Sequence, residues 1–148
     1  MIARRTMAIK KQEFYEGAAL HQLSCSQPVA IAYLPPFFIL NDRLSVLLKY
    51  CTKGRSPWNF TFTAREQAQI QARRKISPIM LGLVCGDDGV AAIECEAYFA
   101  IARPRGTPVH VACFRRHGEH YEVCGPDGTL DGKVPPSRWK GILIDEGQ

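Results

Sequence analysis

The stretch Leu44-Ser45-Val46-Leu47-Leu48-Lys49-Tyr50-Cys51 constrains this chain most. Its apolar residues fall on both faces of an extended strand, a pattern found where a sheet is covered on both sides. Such a strand sits centrally in its sheet, so the other elements are read around it. Asn41-Asp42 supplies a turn signal before it, joining it to an apolar strand over Phe37–Leu40. Upstream, Val29 to Leu40 is apolar throughout but alternates poorly, and Pro35-Pro36 breaks the run.

After a loop over Thr52–Pro57, Trp58-Asn59-Phe60-Thr61-Phe62 alternates cleanly, with the Trp and both Phe on one face. Thr63 and Glu66 have the spacing of a capping box and predict a helix from Ala64 to about Arg74. An earlier helix is predicted from Lys10 to about Ser24, before Pro28. Strand Ile79–Cys85 and Val90–Ile93 form a hairpin through Gly86-Asp87-Asp88-Gly89, where Asp and Gly serve the turn. A short helix around Glu94–Ala102 follows, then a second hairpin of Val109–Phe114 with His120–Cys124, and a closing segment over Trp139–Ile144. The reading is α+β (mixed α/β), with one central mixed sheet flanked by helices. Its order is helix–strand–strand–strand–helix–strand, followed by the C-terminal hairpin.

At 148 residues the chain fits one domain, with Met1–Thr6 read as a flexible basic arm and Met7 as the structured start. A hydrophobic fraction of 46% is globular, and no apolar run approaches the ~20 residues of a membrane helix. Six cysteines without a CxxC pair, and no apolar segment after Arg4-Arg5, lead us to expect reduced thiols in a cytoplasmic protein. A net charge of +5 permits a nucleic-acid partner without requiring one.

Glu16 and Lys49 stand out. Glu16 lies on the helix arc of Leu20 and Leu23, where a carboxylate must find a partner, bind something or reach the rim. Lys49 shares a strand face with Leu47 and Cys51 and either pairs, acts chemically or snorkels out at the strand end. The element order and these two residues resemble the PD-(D/E)xK nuclease superfamily over roughly the first 90 residues. That resemblance implies a helix acid at Glu16 and a motif lysine at Lys49, with Asp42 the one carboxylate in the first hairpin. The motif acid falls on Leu47, which does not bind metal. The blocks Phe14–Leu20, Leu48–Tyr50, Pro57–Phe62 and Leu83–Cys85 also resemble small bacterial proteins of uncharacterised activity.

These residues give the expectation of a nucleic-acid-associated protein with a nuclease-like core, a degenerate binding or accessory subunit with no cofactor. The rival is an active nuclease using Glu16, Asp42 and Lys49 with Mg²⁺ or Mn²⁺. A third reading is a protein-interaction domain. DNA or RNA would meet Lys53, Arg55, Arg73, Arg74 and Lys75. If the first helix covers the sheet face of Lys49, Glu16 and Lys49 should come within hydrogen-bond or one-water reach. In the second hairpin, a Gly118-Glu119 turn would pair Cys113 with Cys124, Arg115 with Glu122 and His117 with His120. That spreads the two Cys and two His over about 13 Å, too far for one zinc, so no metal is expected. Arg115–Glu122 then reads as an ion pair, and Ala112, Phe114 and Val123 as the core side.

Overall fold

The computed structural model describes residues 8–146, and the expected arm over Met1–Thr6 and start at Met7 lie outside them. Helix α1 (Lys11–Ser26) begins where the Glu13 carboxylate accepts the Lys10 backbone N–H at 3.0 Å. Strands β1 (Ile31–Leu34), β2 (Phe37–Leu40) and β3 (Leu44–Cys51) form an antiparallel meander. Pro35-Pro36, expected only to break the apolar run, makes the turn between β1 and β2. Asn41 and Asp42 both take positive φ, 53° and 57°, a region that Asn and Asp enter most readily among residues with side chains.

Strand β4 (Trp58–Phe62) leads into α2 (Ala64–Arg73), with Thr63 Oγ1 accepting from Glu66 N–H as the capping box required. Strands β5 (Ile79–Cys85) and β6 (Gly89–Glu94) form the expected hairpin, followed by α3 (Cys95–Ile101). Next come β7 (Val109–Phe114), β8 (Glu122–Gly125), the two-residue β9 (Gly128–Thr129) and α4 (Arg138–Glu146). The fold class is α+β, as expected.

The strands divide between two sheets rather than lying in one. The first has the order β1-β2-β3-β5-β6, and the second β4-β7-β8-β9. The cause lies on β3, whose edges are taken by β2 and by β5, the latter parallel. Strand β4 therefore has no place beside its predecessor and pairs antiparallel with β7. β3 is central, and its two faces enter two cores. Val46 and Leu48 pack with Ala19 and Leu23 of α1 and with Trp139, Ile142 and Leu143 of α4. Leu47 and Cys51 belong to the larger core with Trp58, Phe60 and Phe62 of β4, Ile70 of α2 and Tyr98 of α3.

The second hairpin departs from the expected register. Cys113 pairs with Val123 and Phe114 with Glu122, because residues 115–121 form a wider loop than a two-residue turn. Cys113 and Val123 are fully buried while Phe114 is 39% exposed, so Ala112 and Phe114 do not form the core side. Arg115 is not paired with Glu122; its guanidinium donates to Asp88 Oδ2 at 2.8 Å. Among the described residues no helix is long and apolar enough to cross a membrane.

Candidate functional site

A polar recess lies where β3 outruns β2. The last rung of that pair is Phe37 opposite Leu47, so Leu48 to Cys51 extend past it while still pairing with β5. Continuing the register puts Pro36 opposite Leu48, and proline has no N–H to offer a ladder. A cleft of about 440 Å³ opens at this edge. Glu16 and Gln12 of α1 stand on one side, Asn59 and Thr61 of β4 and Glu66 of α2 on the other, with Tyr33 and Pro36 at the foot. Tyr15 stacks on Tyr50 at 5.2 Å and Tyr33 on Phe38 at 4.7 Å, which stiffens the α1 side and the foot.

Glu16 and Lys49 line this cleft from opposite faces of the sheet. The parallel β3–β5 crossover lays α2 over the Lys49 face, and α1 takes the face of Val46 and Leu48. The expectation that α1 covers Lys49 is thereby reversed. Lys49 Nζ donates to both carboxylate oxygens of Glu66, at 2.8 and 3.0 Å, and lies 5.3 Å from the Phe62 ring centre. Glu66 Oε1 also accepts the Thr63 backbone N–H at 3.0 Å, so one carboxylate caps α2 and holds the lysine. Glu16 accepts only the Gln12 side-chain amide, at 2.9 Å, among the described residues. Burial holds its carboxyl above the usual range, aided by Glu13 and opposed by the Gln12 hydrogen bond and the Lys49 charge.

Asp42 is not part of this arrangement. It sits exposed in the turn before β3, at the opposite end of the strand from Lys49. Leu47 is buried in the larger core. Glu66, which the capping box accounted for locally, is the cleft acid that sequence reading missed. The signal was available in the strand–helix–strand order, which puts the first turn of α2 over β3.

The basic residues separate as well. Arg73 Nε donates to Ser45 Oγ at 2.9 Å near the start of β3, and Arg74 stacks over Phe99 at 4.8 Å. Lys53 and Arg55 follow the far end of β3, roughly 23 Å away along an eight-residue strand. There the loop 52–57 docks on the wide loop of the second hairpin. Ser56 Oγ donates to Arg115 O at 3.2 Å, and Trp58 Nε1 to Lys53 O at 2.9 Å. Beside it lies a recess of about 520 Å³ lined in part by Phe114, Arg116, His120 and Lys133. Asp88 buttresses this end, accepting from the Tyr121 hydroxyl at 2.6 Å as well as from Arg115. Burial and that bond push the Tyr121 hydroxyl strongly up.

Comparison with family models, with curated proteins and with solved structures yields no match for this chain.

Proposed function

We propose that this protein binds nucleic acid on a nuclease-like core that does not cleave it. One observation carries the reading: Lys49, at the position of the motif lysine, is engaged by Glu66, while Leu47 at the position of the motif acid is buried. Cleavage of this kind needs carboxylates converging on a divalent ion and a lysine at the attacking water. Here one cleft carboxylate neutralises the lysine and Asp42 stands elsewhere. The chain order also supports the reading, since a helix, three meandering strands, a helix and a strand parallel to the third follow one another, with β4 inserted.

Nucleic acid would lie at the end of the molecule formed by loop 52–57 and loop 115–121. Lys53, Arg55, Arg116, His117 and His120 are exposed there beside Phe114, a combination suited to phosphate contacts and base stacking. Arg73, Arg74 and Lys75, at the other end of β3, fall outside this footprint. Labelled single- and double-stranded DNA and RNA, with and without Mg²⁺ or Mn²⁺, test the reading. Binding should weaken with salt, and the salt slope should drop by about one for each of Lys53→Ala, Arg55→Ala and Arg116→Ala, with no cleavage. Metal-dependent cleavage lost in Lys49→Met would establish the active-nuclease rival. Absence of binding at low salt would leave the interaction-domain reading.

A further inference from the structure

The first sheet ends in an apolar strand that the helices leave uncovered. They pack on β3, β5 and β6, whereas β1, last in the strand order, is exposed at every residue from Ile31 to Leu34. Ile31 is 42%, Tyr33 57% and Leu34 51% exposed. Sheets usually blunt such an edge with a charge, a bulge or a proline. Here no charged residue occurs from Gln27 to Leu40, and the prolines, Pro28 and Pro35, stand outside Val29–Leu34. The register with β2 runs without a bulge, from Ile31 opposite Leu40 to Leu34 opposite Phe37.

The backbone direction of this edge follows from Ala30. Its C=O accepts the Asn41 N–H at 2.8 Å and its N–H donates to Asn41 Oδ1 at 2.9 Å, so Ala30 faces β2. Residues of a strand alternate in this respect, so Ala32 and Leu34 also face β2, while Val29, Ile31 and Tyr33 turn their N–H and C=O outward. Among the described residues no strand lies on that side. Three donors and three acceptors are thus presented at strand spacing.

This edge is complementary to itself. Two antiparallel copies with Ile31 opposite Ile31 set Val29 opposite Tyr33, and each outward N–H then meets an outward C=O. Val29, Ile31 and Tyr33 meet on one face of the joined strands. On the other face, Ala30 lies opposite Ala32 and leaves room for the exposed Leu34. The absence of charge lets two copies meet without local repulsion, and it offers a phosphate or an ionic peptide no counter-charge. We propose that two copies of this chain associate through β1, antiparallel about a two-fold axis at Ile31, joining their first sheets into one continuous sheet of ten strands. So short a strand buries less than the roughly 1,600 Å² of a standard interface, so the dimer is reversible.

Sedimentation velocity on the full chain, from low micromolar to near-millimolar concentration, tests this. The average mass should rise toward twice that of the monomer. With a net charge of +5 on each copy, added salt should strengthen association by screening their repulsion, the opposite of its effect on nucleic-acid binding. Ile31→Pro removes an outward N–H without touching the β1–β2 ladder. It should abolish association and leave the urea midpoint of the dilute chain near that of the parent. Ile31→Lys and Ile31→Glu should each stay monomeric alone and associate when mixed, because the axis sets the two charges opposite one another. In the parent, hydrogen exchange at the Ile31 and Tyr33 amides should slow as concentration rises. The proposal is overturned by a parent chain that stays monomeric throughout, by association that survives Ile31→Pro, or by a Lys–Glu mixture that fails to associate. Protection of those amides at a dilution where the chain is monomeric would put a different occupant on the edge and overturn it equally.

Discussion

Lys49 of β3 and Glu66 of α2 meet over the sheet face that α2 covers, the ammonium held between both carboxylate oxygens with side chains only 19% and 22% exposed. The carboxylate is tied to the first turn of α2 and the lysine to the central strand. This ion pair therefore links the crossover helix to the strand it crosses, alongside the Arg73–Ser45 hydrogen bond at the other end of β3.

Removing either partner leaves the other poorly solvated. Lys49→Met and Glu66→Gln should each cost about 1–3 kcal/mol in urea denaturation, with coupling of about 1 kcal/mol between them. The same cycle on Glu16 and Lys49 should show coupling under about 0.5 kcal/mol, since no hydrogen bond joins them. A larger Glu16–Lys49 term would mean that the two faces communicate around the strand edge.

The pH dependence of stability should report Glu16. Its folded carboxyl titrates above the ordinary range, so the folded chain holds that proton to higher pH than the unfolded chain. Stability from this group thus falls as pH rises from about 4.5 through the folded value. Glu16→Gln, neutral throughout, should match the parent near pH 3 and show a higher urea midpoint at pH 7. Equal midpoints at pH 7 would contradict the burial assigned to this side chain.

Trp139 packs over a glycine. Its indole N–H donates to Ala19 O at 2.9 Å, tying α4 to α1. A methyl group at Gly82 would lie 2.7 Å from Leu48 Cδ2 and 3.0 Å from Trp139 Cζ3. Trp139→Ala should cost about 3–5 kcal/mol and Gly82→Ala about 1–3 kcal/mol. The double variant should be less destabilised than the sum, because removing the ring makes room for the methyl group.

The thiols should react in a graded order. Cys25 is exposed, whereas Cys85, Cys95 and Cys113 are buried, and burial pushes the Cys95 thiol up to about 11. With a chromogenic disulfide reagent, native protein should show one fast thiol, lost in Cys25→Ser. All six should react in denaturant. A fast phase surviving Cys25→Ser would show that half-buried Cys51 or Cys124 is reachable in the native state.

Local rules were written plainly in this chain. The capping box at Thr63 and Glu66, the alternation over Trp58–Phe62 and the turn over Gly86–Gly89 all express chemistry within a few residues. Partner choice between strands was not legible in that way. Nothing near Trp58 states that its partner is Cys113, nor that β3 has already given both edges away. The site suffered for the same reason. Glu16 was recognisable as an acid on an apolar arc and Lys49 as a charge in an apolar strand. Which face α1 would cover depended on where the crossover helix lay, a relation between segments some 50 residues apart. The register of the last hairpin failed on one local assumption, that Gly118-Glu119 closes it tightly.

The division of strands between two sheets imposes an order of events on a chain made from its N-terminus. When residues up to Glu94 have emerged, every strand of the first sheet exists, while β4 still lacks β7, which begins 15 residues later at Val109. Until then Leu47, Leu81 and Leu83 present a sheet face that Val111, Cys113 and Val123 will later help to cover. Pairings this distant in sequence form slowly, and the interval is when the chain is most exposed to unwanted association. The late hairpin is thus the closure step that turns an adhesive half-molecule into a finished one.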